Sequence, residues 1–202
     1  GMPAGLANGT NRVGALVQCI VSIATFRNSN QFKPLLKNSA VLMVPAFIGA
    51  VIGANSAINI PDDTLTKVIG YLMIFMLGIV LLKPKRWLIE TVSRENNKSV
   101  LNYLIFFAIG WYAGFIQMGM GILFLAALVL VSKYSLIHAN MIKIMISFAI
   151  LFPALLIYIY NNQVDWEPAI ALALGQGLGA WIATKFALEN KNANIWVRRI
   201  LI

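Results

Sequence analysis

The 202-residue chain is 59% hydrophobic and only 11% charged, with a mean hydropathy of +0.77. Soluble proteins average about 25% charged residues, so a soluble enzyme or binding module is excluded. The net charge of +9 would suggest nucleic-acid binding in a soluble protein, but here most basic residues lie between apolar segments, where they set membrane orientation. We expect an all-α, polytopic transmembrane protein in a lipid bilayer, with no nucleic-acid partner.

Apolar segments recur along the whole chain. Most approach the roughly 20 residues that cross a bilayer, and each should be helical because a segment in lipid must satisfy its own backbone. They lie at 4–26, 39–60, 67–83, 101–118, 121–132, 138–160 and 168–187, and another begins near 197. We expect two halves, residues 1–100 and 101–202.

The segment at 121–132 is short for a crossing, and it follows the glycine-rich sequence Met118-Gly119-Met120-Gly121. Irregular backbone at membrane depth survives only where protein or a water-filled cavity surrounds it. The pattern therefore predicts a re-entrant or broken helix, with helical geometry lost between residues 114 and 124.

The connections between segments alternate in charge. Lysine and arginine are concentrated at 27–38, 83–100 and 185–199, whereas the connections near 62 and 165 carry acidic residues. Because positive loops stay on the cytoplasmic side, the three basic connections should be cytoplasmic and the two acidic ones should face outward.

An internal duplication is visible in the sequence. Ala7-Asn8 matches Ala139-Asn140 and Asn30-Gln31 matches Asn162-Gln163, both 132 positions later, and Gly49-x-x-x-Gly53-Ala54 matches Gly175-x-x-x-Gly179-Ala180, 126 positions later. The first Asn-Gln pair lies in a connection predicted to be cytoplasmic and the second in one predicted to face outward. The duplication therefore predicts two inverted repeats, an arrangement common in secondary transporters.

Three glycine pairs have the spacing of close helix contacts. In Gly-x-x-x-Gly the two glycines share one helix face and allow another backbone to approach. The pairs begin at Gly49, Gly110 and Gly175. They predict tight helix interfaces.

The spans contain cations and amides, whereas the acidic residues lie in connections or at span ends. Arg12 and Lys143 interrupt apolar runs, and a charge there costs about 2.5–3.5 kcal/mol, so it usually faces a cavity and has a function. Snorkelling to the nearer interface is the alternative. Hydrogen-bond donors suited to an oxyanion accompany them. The candidate substrate-binding residues are Asn8, Thr10, Asn11, Arg12, Gln117, Asn140, Lys143 and Ser147.

The sequence provides little for catalysis. Paired carboxylates and metal-ligand clusters are missing from the spans, so we predict no catalytic residue, cofactor or metal. His138 is a lone histidine at a helix start, a position that is more often interfacial or structural than catalytic. An intramembrane enzyme and a non-transporting structural or assembly subunit stay open as alternatives to a transporter.

Three stretches resemble the sulfite exporter TauE/SafE family of membrane permeases. They run from Ala7 to Arg12, from Gly110 to Gly121 and from Val164 to Ala180. The resemblance implies a secondary transporter in a bacterial-type inner membrane, built from two repeats, with a small sulfur-containing anion such as sulfite or an organosulfonate as substrate. It also implies that the first repeat lacks an opening hairpin equivalent to 101–132 and that the last span is truncated. The oligomeric state is left open.

Overall fold

The computed structural model describes residues 2–29, 32–81 and 99–189. Asn30-Gln31, most of the connection at 83–100 and the span expected near 197 lie outside the described residues. The described residues form helices and contain no strand, which confirms the all-α prediction for this part of the chain. The helices are α1 (Ala4–Phe26), α2 (Phe32–Ile58), α3 (Asp62–Leu81), α4 (Val100–Phe115), α5 (Met120–Ala126), a π-helical segment (Ala127–Val131), α6 (Leu136–Tyr160) and α7 (Trp166–Glu189).

Three stretches of the described helices are long and apolar enough to cross a membrane: Ser39–Ile58, Ile137–Tyr160 and Trp166–Phe186. Two further apolar helices, Val100–Phe115 and Met120–Val131, are shorter. This arrangement fits a multi-pass chain with a re-entrant hairpin, because the two short helices follow each other directly.

Two helices begin earlier than the apolar pattern predicted. α2 starts at Phe32, inside the connection predicted at 27–38, because lysine is a good helix former and extends the helix beyond its apolar part. α3 starts at Asp62 rather than near residue 67, since acidic side chains in the first turn interact favourably with the helix dipole.

α1 runs antiparallel to α6. Near the start of α1, Arg12 lies over the ring of Tyr158, close to the end of α6. Further along α1, Cys19 lies within electrostatic range of Lys143, near the start of α6. Inverted repeats would give these two equivalent helices this relative direction, while the duplication itself stays a prediction.

α1 runs parallel to α7 on its other side. The side chain of Thr10 accepts a 2.9 Å hydrogen bond from the backbone N–H of Asp165, just before α7. Two helical turns or more further on, the Thr184 hydroxyl donates to Ser22 at 3.3 Å. Polar contacts therefore join α1 to α7 at both ends of their interface.

α2 and α4 pack in parallel through their glycines. A Cβ atom added at Gly49, Gly53, Gly110 or Gly114 would collide with a backbone carbonyl of the facing helix. The predicted tight interface is therefore confirmed for these two pairs.

The same prediction is wrong for the third pair within the described residues. A Cβ atom at Gly175 or Gly179 would have no atom of the described helices and connections within 4 Å. The reason is the position of α7 at the edge of the helix assembly: 11% of its apolar span is buried inside the chain, against 50% for the span of α6.

α4 and α5 form the predicted hairpin, and the break in helical geometry is confirmed. α4 ends at Phe115, and Ile116 is extended with φ −136° and ψ 120°. Gly119 then takes φ 72°, a left-handed conformation that favours glycine, immediately before α5. The rings of Phe106 and Phe124 lie 5.9 Å apart and hold the two arms together.

Candidate functional site

The break leaves α4 with unpaired carbonyl groups at its C-terminal end. In a continuous helix the amides of residues 117–119 would bond the carbonyls of Ala113, Gly114 and Phe115. The chain is extended at Ile116, so the amides of residues 117–119 do not bond these carbonyls. The N–H of Ile116 makes the last bond of the α4 ladder, to the Tyr112 carbonyl at 2.7 Å. Unpaired carbonyls in a membrane interior need other donors.

Side chains of α1 supply those donors. Arg12 donates from Nη1 to the Ala113 carbonyl at 3.2 Å and from Nη2 to the Gly114 carbonyl at 2.6 Å. One helical turn earlier, the amide of Asn8 donates to the Phe115 carbonyl at 2.9 Å. The sequence predicted both residues to bind substrate, and the structure places their side chains on backbone carbonyls at the end of α4.

Tyr158 of α6 completes this cluster, and sequence reasoning did not identify it. Its hydroxyl accepts from Asn8 at 2.7 Å and lies 3.4 Å from the Phe115 carbonyl, to which it donates. Its ring centroid lies 4.5 Å from the guanidinium carbon of Arg12. A buried tyrosine hydroxyl needs a partner, so a tyrosine within an apolar span was the available signal.

Arg12 is 0% exposed, so it does not snorkel to an interface. Its partners among the described residues are carbonyl groups and the Tyr158 ring. The negative end of the α4 dipole and the face of an aromatic ring both stabilise a cation. Its Nε, however, is buried and has no hydrogen-bond partner among the described residues.

Lys143 lies on the other side of the break. Its Cδ is 3.9 Å from the position that a Cβ atom would take at Gly121, in the first turn of α5. The side chain is partly buried. Arg12 therefore contacts the hairpin just before the break, and Lys143 lies beside it just after the break.

Asn140, Lys143 and Ser147 lie on one face of α6, because their spacing of three and four residues places them above one another. Asn140 is exposed, Lys143 is intermediate and Ser147 is 4% exposed. The polar face therefore leads from the start of α6 into the interior. His138 lies beside it, and its backbone N–H donates to the Ser135 hydroxyl at the cap of α6, at 3.4 Å.

The remaining predicted residues have different surroundings. Thr10 is bonded to Asp165, and Asn11 is exposed and accepts from the amide of Gln176 at 3.3 Å. Gln117 lies within the break itself, and its Oε1 is buried with no hydrogen-bond partner in the part of the chain that the structure describes. Thr10 and Asn11 thus join α1 to α7, whereas Gln117 is a member of the hairpin tip.

The entire chain, residues 1–202, matches the family model described as "Sulfite exporter TauE/SafE". A relative from Sinorhizobium sp, named "Probable membrane transporter protein ORF9", is 26% identical over 195 residues, which cover 96% of this chain and 73% of the relative. No solved structure matches the chain. Both descriptions are of membrane transport rather than enzymatic reaction. The chain belongs to the sulfite exporter TauE/SafE family and is a multi-pass membrane permease for a small-molecule substrate.

Proposed function

We propose that the chain moves a small, sulfur-containing oxyanion, such as sulfite or an organosulfonate, across a bacterial-type inner membrane. The observation that carries this proposal is the break of the α4–α5 hairpin, which has Arg12 at the carbonyls before it and Lys143 beside Gly121 after it. Broken helices with nearby charges form the substrate sites of many secondary transporters. The family description supports the sulfur-containing class.

Lys143 is the cation that we assign to the anion. The two Nη atoms of Arg12 already donate to backbone carbonyls, whereas the ammonium of Lys143 has three donors beside the hairpin. Asn140 and Ser147 share its helix face and add hydrogen-bond donors along the same path. The half-buried Gln117, at the break, is the fourth residue of this proposed site.

The other four predicted residues act on the substrate indirectly in this proposal. Arg12 and Asn8 hold the end of α4, and Thr10 and Asn11 tie α1 to α7 and the connection before it. They fix the frame in which the hairpin meets α6. Arg12 therefore contributes positive potential to the site, while Lys143 makes the direct contact.

The proposed direction is export from the cytoplasm. Asn140 and Lys143 lie near the start of α6, where Ser39 of α2 donates to the sulfur of Met145 at 4.0 Å. The start of α2 carries Lys33 and Lys37, which the positive-inside rule predicts to be cytoplasmic. An interior-negative potential favours anion exit by about 2.3 kcal/mol per charge at 100 mV. The membrane potential is therefore the energy source that we propose for export.

Purified protein in proteoliposomes tests the function directly. Labelled sulfite and a labelled organosulfonate are loaded inside, and efflux is followed with an interior-negative potassium diffusion potential. We expect efflux above that of protein-free vesicles and faster efflux as the potential rises. Folded protein that moves neither anion would contradict the proposal and favour the structural or assembly role.

A further inference from the structure

The C-terminal end of α4 has the features of a cation site. Three successive carbonyl groups, at residues 113–115, are released from the helical ladder by the break, and the helix dipole makes this end negative. In transporters with discontinuous helices, such ends and unwound carbonyls coordinate the coupling cation. Here the guanidinium of Arg12 bonds two of the three carbonyls.

The guanidinium of Arg12 has the properties of a cation bound permanently in a site, rather than of a side chain that only packs against its neighbours. It is 0% exposed, and a buried charge is retained only where its surroundings compensate it. The groups that contact its guanidinium among the described residues are the carbonyls of α4 and the ring of Tyr158. These are oxygen dipoles and a π face, groups that attract cations.

We propose that the end of α4 is a monovalent cation site that Arg12 fills with its own side chain, so that the hairpin tip stays docked on α1 without a free coupling ion. The role of this site in transport rests on the proposed permease function. Binding of a free cation at the end of α4, once the guanidinium is removed, can be measured without transport.

The first readout is the accessibility of the hairpin tip. Ile116, the extended residue of the break, is 2% exposed, so Ile116→Cys in a Cys19→Ala background reports whether the tip is docked. Arg12→Ala should raise its labelling rate by a water-soluble thiol reagent about tenfold or more, because two hydrogen bonds to the tip are lost. Low millimolar guanidinium chloride should return the rate to within about twofold of the Arg12 parent, by refilling the site.

Three controls make the result specific. The quaternary ammonium of choline has no N–H to donate to the carbonyls, so choline chloride at equal concentration should leave the fast labelling unchanged. Asn8→Ala removes a neutral donor to the same tip, so guanidinium should not restore its protection. Arg27→Ala removes an exposed arginine at the end of the same helix and should label like the parent. If Arg12→Ala does not fold, Arg12→Gln replaces it, since it is also neutral and keeps an amide NH2 group as a donor.

The outcomes separate the inference from the proposed function. Recovery of protection with guanidinium, with or without recovery in sodium chloride, supports a cation site. Fast labelling that neither cation reverses, or a labelling rate unchanged by removing Arg12, overturns it.

Sulfite efflux is the second readout. The efflux rate of the wild type should be independent of sodium, and Arg12→Ala should regain efflux with guanidinium. Absence of sulfite efflux in wild type would contradict the substrate proposal, while the labelling result would still decide the cation site.

Discussion

Arg12 Nη2 and the carbonyl oxygen of Gly114 are joined by a 2.6 Å hydrogen bond across 102 residues of chain. The same glycine packs so tightly on Ala50 of α2 that a Cβ atom would collide with the Ala50 carbonyl. The end of α4 is therefore held from two sides, by a charged side chain from α1 and by backbone contact with α2. Its position depends on both contacts.

Gly114→Ala and Gly179→Ala should have opposite effects on stability. At Gly114 the added methyl must displace α4 from α2, and overpacking of this kind costs about 1–3 kcal/mol or more. A Cβ atom at Gly179 would have no described residue within 4 Å, and alanine favours a helix over glycine by about 1 kcal/mol. Thermal unfolding of the detergent-solubilised variants measures the difference. Equal losses of thermal stability in both variants would show that the close α2–α4 contact does not determine the cost of the added methyl group.

Tyr158 should contribute to stability in two separable ways, through its hydroxyl and through its ring. Tyr158→Phe removes the hydroxyl that accepts from Asn8 but keeps the ring under Arg12, so we expect a loss of about 0.6–1.7 kcal/mol, the range for hydrogen bonds between membrane helices. Tyr158→Leu also removes the ring and should lose more. Tyr160→Phe, at a side chain that is 87% exposed, is the control in the same unfolding assay. A Leu variant as stable as the Phe variant would show that the contact between the Tyr158 ring and Arg12 does not stabilise the protein.

The apolar pattern predicted the helices and the break because both follow from local composition. The hairpin turn needs a left-handed residue, and Gly119 supplies one. The partners of Arg12 could not be predicted, because backbone carbonyls carry no sequence signature and Tyr158 lies 146 residues away along the chain. The open face at Gly175 was mispredicted for a related reason: glycine spacing shows that a helix can approach, not that one does.

Topology should follow the charge pattern. In a Cys19→Ala background, Asn59→Cys and Asn161→Cys, at exposed positions next to acidic connections, should react in intact cells with a membrane-impermeant thiol reagent. Asn28→Cys, exposed beside Arg27, should react only after the cells are opened. Reaction of Asn28→Cys and Asn161→Cys from the same side would contradict the inverted repeats, since these positions follow the two equivalent helices.

Lys143→Met should lower anion efflux while leaving the folded yield nearly unchanged. Methionine keeps the unbranched length beside Gly121 and removes the charge that offsets desolvation of the oxyanion. Lys67→Met, at an exposed lysine of α3, is the matched control and should transport like wild type. If both variants have equal efflux, Lys143 does not contact the substrate.

Arg12→Lys is expected to be damaging although it conserves the charge. A guanidinium donates to two successive carbonyls and lies flat over a ring, whereas an ammonium is a point charge that does neither in the same way. We expect one carbonyl bond and part of the ring contact to be lost, at about 0.6–1.7 kcal/mol for the bond. The thermal midpoint and the efflux rate should therefore both fall.

The size of the Arg12→Lys effect also distinguishes charge from geometry. Arg27→Lys, at an exposed position of the same helix end, controls for the exchange itself and should change neither quantity. Because the lysine variant still carries a tethered cation, guanidinium should improve its efflux less than that of Arg12→Ala. A lysine variant with wild-type stability and efflux would show that positive charge alone suffices at the end of α4, and that the paired bonds to Ala113 and Gly114 are dispensable.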